Sequence, residues 1–73
     1  MGVWHAVAMP GSDSAVLSSI VAQIEDLTRR VTELAESYGS TPDSAIAAEL
    51  YAAERALVGA HRALERAMRT MDS

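Results

Sequence analysis

The chain has 73 residues, a formal net charge of −4 and no cysteine, so we expect one small domain without disulfides or thiolate metal sites. The acidic balance disfavours binding to nucleic acids and to anionic membranes. The apolar content is 49%, but there are only one Trp, two Tyr and no Phe. A monomer of this composition would have a thin core, so we expect some apolar surface to be buried between subunits.

Two features of the sequence bear on its location. No stretch approaches the roughly 18 consecutive apolar residues of a membrane span. Residues 1–9 are apolar, but no Lys or Arg precedes them, which disfavours a secretory signal. We therefore expect a cytoplasmic protein.

Residues 1–11 are predicted to form an N-terminal arm, because Pro10-Gly11 is typical of a helix break. Three alternatives remain open for this arm. It can be extended, with Trp4 covering one end of a helical bundle. It can be a disordered, frayed terminus. Translation can also start at Met9.

The first predicted helix spans about residues 13–38. Ser12, Asp13 and Ser14 are suitable N-cap residues, and Gly39 is expected to end the helix in a left-handed conformation. Apolar residues recur at alternating spacings of three and four, which is typical of a helix that packs lengthwise against other helices. This first seam comprises Leu17, Ile20, Ile24, Leu27, Val31, Leu34 and Tyr38.

The second predicted helix spans about residues 42–71, after a turn at residues 39–41. Thr41 is expected to cap it and Pro42 to occupy its first position. So short a connection makes the two helices antiparallel neighbours. The second seam comprises Ile46, Leu50, Ala53, Leu57, Ala60, Leu64, Ala67 and Met71. We expect its alanines to lie against helix 1, with the closest approach at Ala60.

Residues 12–73 therefore predict an all-α fold, an antiparallel two-helix hairpin. Both helices carry further apolar residues beside their seams, which a hairpin alone leaves exposed. We expect a homodimer that forms a four-helix bundle and covers them. These flanking residues are Val16, Val21, Ala35, Tyr51, Ala56, Val58, Ala63 and Met68.

A stripe of four arginines interrupted by a glycine runs along helix 2. It comprises Arg55, Gly59, Arg62, Arg66 and Arg69. The stripe is interpreted first as a solvated face on which Glu65 pairs with Arg62 and Arg69. The alternative is an anion-binding site at Arg55, Arg62 and Arg66. A solvated face does not explain Gly59, which destabilises a helix interior.

Glu54, His61 and Glu65 lie on the flank of the second seam. Di-metal bundles use a Glu-x-x-His motif on paired helices, but Val58 stands three residues before His61. We therefore predict no metal site. We expect His61 to form a hydrogen bond with Glu54, Glu65 or a partner chain.

No constellation in the sequence predicts catalysis or a cofactor. There is no cysteine nucleophile, no serine in a Gly-x-Ser-x-Gly turn and no glycine-rich phosphate loop. The favoured function is a small non-enzymatic interaction module, an adaptor, scaffold or regulator that binds itself and another protein. Its expected anchors are Trp4, Tyr51, Val58 and Met68. The alternative is a ligand-sensing bundle that binds a small anion through the arginine stripe.

Overall fold

The computed structural model describes residues 10–72, with side-chain environments from Asp13 onward. It contains two helices, α1 (Pro10–Tyr38) and α2 (Ser44–Asp72), each of 29 residues. Within the described range there is no strand. The prediction of an all-helical hairpin is confirmed. Trp4 and the rest of residues 1–9 lie outside the described range, so the alternatives for the arm stay predictions.

Helix α1 begins at Pro10, about three residues earlier than the sequence predicted. Residues 10 and 11, which the sequence assigned to the arm, are therefore part of the helix. Proline is well tolerated in the first turn, because the backbone N–H that it lacks would have no partner within the helix there.

Helix α1 ends at Tyr38, as predicted, but by a different mechanism from the one expected. The Gly39 N–H donates to the Glu36 carbonyl at 3.3 Å, and the Thr41 N–H donates to the Tyr38 carbonyl at 3.1 Å. No glycine in the described range has a positive φ, so the prediction of a left-handed Gly39 is wrong. Hydrogen bonds of the tighter 3₁₀ type satisfy these last carbonyls instead.

The predictions that Thr41 caps helix 2 and that Pro42 occupies its first position are wrong, because α2 begins at Ser44. Thr41 instead stabilises the turn. Its hydroxyl accepts a hydrogen bond from the Asp43 N–H at 3.1 Å and donates one to the Tyr38 carbonyl at 2.7 Å. One side chain thus joins the end of α1 to the approach to α2. The Ile46 N–H donates to the Asp43 carbonyl at 2.9 Å. Residues 42 and 43 still belong to the turn, and α2 begins at Ser44.

The two helices pack antiparallel along their length, so that Ser18 and Asp72 border the same groove at the end far from the turn. In the described range only Ala35 and Ala47 are buried, with exposed fractions of 0% and 4%, and no large side chain is fully buried. The hairpin is a single layer with a thin core, as the composition predicted. No described helix combines the length and apolar character needed to cross a membrane.

Candidate interaction surface

The line of contact between the helices uses only part of each predicted seam. On α1 the half-buried seam residues are Leu17, Ile24, Val31 and Tyr38. On α2 they are Leu50, Leu57 and Leu64. The prediction that the alanine row lies against α1 is wrong, because Ala53, Ala60 and Ala67 are exposed. The buried alanines are instead Ala35 and Ala47, which lie near the turn.

The other half of each seam is exposed. Six large apolar side chains in the described range are 37% to 54% exposed. They are Val16, Ile20, Leu27 and Leu34 on α1, with Ile46 and Met71 on α2. The exposed alanines continue the row of Ile46 along α2 at intervals of seven residues.

These exposed rows share one side of the hairpin. Glu25 and Arg29 of α1 line a groove together with Val58 and Arg62 of α2, so these residues mark one side. Successive residues of a helix are rotated by about 100°, so Leu27, two residues after Glu25, points about 200° away from it. Leu27 therefore lies on the opposite side of the contact line on α1. By the same reasoning, the alanine row lies opposite Arg62 on α2. We call the surface that carries both exposed rows the apolar face.

The opposite side of the hairpin, the polar side, contains an open groove of about 500 Å³. His61, with 21% of its side chain exposed, lies in this groove. Its Nε2 lies 2.9 Å from the Glu25 carboxylate and its Nδ1 lies 3.4 Å from the Glu65 carboxylate. A neutral imidazole can donate a hydrogen bond to only one of them, whereas an imidazolium can donate to both. His61 therefore links α2 to α1 across the contact line.

The hydrogen bond of His61 is to Glu25, which the sequence prediction missed. The predicted partner Glu65 lies near the ring, with its carboxylate 3.4 Å from Nδ1. Arg29, four residues after Glu25, contacts Asp26 and Glu33, the latter at 3.6 Å. Only the fold could have indicated the His61–Glu25 contact, because 36 residues separate the two. The described residues contain no cluster of histidine and carboxylate side chains arranged to hold a metal ion.

The arginine stripe is exposed. Arg62 lines the polar groove and Arg69 lines a smaller groove beside Met68, whereas Arg55 and Arg66 line none of these grooves. Within residues 10–72 none of the four forms an ion pair. The expected pairing of Glu65 with Arg62 and Arg69 is therefore wrong. The groove at Arg62 is lined by two arginines and two glutamates, so its positive charge is offset by an equal number of carboxylates.

The anchors predicted for a protein partner are placed mainly at the joint between the helices. Tyr51, Val58 and Met68 are half-buried, with Val58 in the polar groove and Met68 in the smaller groove. The structure thus brings none of them onto the apolar face. Their role in partner binding stays a prediction. The sequence analysis did not single out the apolar face. Its signal was nonetheless present in the sequence, because Ile20, Leu27 and Leu34 form one of the two rows of the first seam.

Comparisons with models of protein families, with curated proteins and with solved structures find no match for this chain.

Proposed function

We propose that this protein is a small, non-enzymatic interaction module. It assembles with copies of itself through the apolar face and presents its polar side to another protein. The observation that supports this function is the apolar face itself, which runs along both helices.

The size of the apolar face favours assembly. Its large side chains are 37% to 54% exposed. Together with the three exposed alanines, they extend along both helices. Exposed apolar patches on soluble proteins are typical of interaction sites.

The thin core of the hairpin also favours self-assembly. Among residues 13–72 only Ala35 and Ala47 are buried, so this part of a single hairpin removes little apolar surface from water. Burial against a second hairpin would supply the core that the isolated chain lacks, as in four-helix bundles formed from two hairpins.

Assembly through the apolar face leaves the polar side accessible to a further protein. The groove there has an apolar element, Val58, bordered by charged groups from both helices, Arg29, Arg62 and Glu65. An apolar centre with a charged rim is the usual anatomy of a protein interface. Recognition there would combine Val58 as an anchor with charge complementarity at the rim.

Sedimentation equilibrium at micromolar concentration tests the assembly. The chain mass is 7.8 kDa, and we expect twice that mass or more. Leu27→Arg places a charge on the apolar face and should give a smaller species. Arg62→Leu on the polar side is the matched control and should leave the mass unchanged. A well-folded wild-type monomer at all concentrations would overturn the proposal.

A further inference from the structure

The two halves of the apolar face differ in side-chain size. The row on α1, Ile20, Leu27 and Leu34, consists of large side chains that project from the helix. The row on α2 is Ile46 followed by Ala53, Ala60 and Ala67. Both rows repeat every seven residues. Within one hairpin these rows cannot fill one another, because they lie side by side on the same surface.

The two rows also lie at matching heights along the hairpin. The His61–Glu25 contact of 2.9 Å marks one pair of residues at the same level. In antiparallel helices, each step forward along α1 from Glu25 corresponds to one step backward along α2 from His61. By this count Ile20 lies at the height of Ala67, to within one residue. In the same way Leu27 lies at the height of Ala60, and Leu34 at that of Ala53.

Two hairpins can meet through their apolar faces about a two-fold axis in two ways. If the axis is perpendicular to the helices and parallel to the apolar face, α1 lies on α1 of the second copy. Large side chains then oppose large ones while alanines oppose alanines, so that one half is overpacked and the other contains voids, both of which are destabilising. If the axis runs along the helices, α1 lies antiparallel on α2 of the second copy. This arrangement keeps each residue at its height along the helices and brings Ile20, Leu27 and Leu34 onto the alanines.

We propose that the occupant of the apolar face is a second copy of this chain, docked with the two-fold axis parallel to the helices. The row of Ile20, Leu27 and Leu34 on each copy packs onto Ala67, Ala60 and Ala53 of the other. The alanines allow the two backbones to approach closely, and the large side chains fill the space between them. This inference rests on the proposed self-assembly and specifies its geometry.

Disulfide trapping tests this arrangement directly, because the chain contains no cysteine of its own. Two single-cysteine proteins, Leu27→Cys and Ala60→Cys, are mixed and oxidised mildly, so that any disulfide between the two variants joins different chains. A second mixture uses Leu34→Cys with Ala53→Cys. Mass spectrometry of the linked peptides identifies which positions are joined. A bridge requires Cβ atoms about 3.5–4.5 Å apart.

We expect both mixtures to form the heterodimeric disulfide at least about tenfold faster than a control mixture of Leu27→Cys with Arg62→Cys, whose second cysteine lies on the polar side. A wild-type dimer whose mixtures react no faster than this control would overturn the arrangement but leave the proposed function intact. Preferential linkage of Leu27→Cys to itself would also overturn the arrangement, in favour of α1 on α1. A wild type that sediments as a monomer would overturn the arrangement and the proposed function together.

Discussion

Replacing Gly59 by alanine should stabilise the protein. Gly59 lies in the interior of α2, and a Cβ atom added there would meet no heavy atom within 4 Å. The added methyl group therefore causes no clash, and its main effect is to reduce the backbone freedom of the unfolded chain. The expected gain in the free energy of unfolding is about 0.5–1 kcal/mol. For a domain of this size, that gain corresponds to a rise in melting temperature of roughly 2–8 °C.

Thermal and urea denaturation followed by circular dichroism would measure this effect at a fixed protein concentration. Ala63→Gly is the matched control, because Ala63 is exposed on the same helix, and it should destabilise by a similar amount. A loss of stability in Gly59→Ala would refute the reasoning. It would mean that another surface covers Gly59 in the assembled protein. Unchanged stability would mean that helix propensity does not limit the stability of α2.

Three further results are expected. Gly39→Ala should change the free energy of unfolding by less than about 0.5 kcal/mol, because Gly39 has no positive φ and its added Cβ would lie at an ordinary 3.6 Å from a backbone oxygen; a loss near 1 kcal/mol in urea denaturation would contradict the described turn. Ala60→Leu should weaken dimerisation at least about tenfold in sedimentation by overpacking, with helicity retained because Ala60 is exposed within the hairpin; dimerisation as tight as that of the wild type would contradict the packing. Alanine at Arg55, Arg62 or Arg66 should change the free energy of unfolding by less than about 0.5 kcal/mol, because each is exposed and forms no ion pair in the described range. Calorimetry should detect no nucleotide binding by the wild type. Micromolar nucleotide binding that is lost in Arg62→Ala would favour the ligand-sensing alternative.

Local sequence signals determined the helices and the direction of the chain. The end of α1 at Tyr38 was predicted, since it depends on residues within a turn of the chain. The short connection between the helices then required an antiparallel hairpin. The start of α1 was placed too late because a proline can either interrupt a helix or begin one.

Only the tertiary structure decided which half of each seam meets the neighbouring helix. An apolar spacing of three and four shows that a helix has two apolar rows, but it does not say which neighbour each row faces. The structure places Ile24 in the hairpin contact and leaves Leu27 exposed. It likewise pairs His61 with Glu25, 36 residues away, whereas sequence spacing could name only partners on the same helix. The rotation of each helix about its axis depends on the packing of all the side chains along the contact, so no local pattern in the chain determines it.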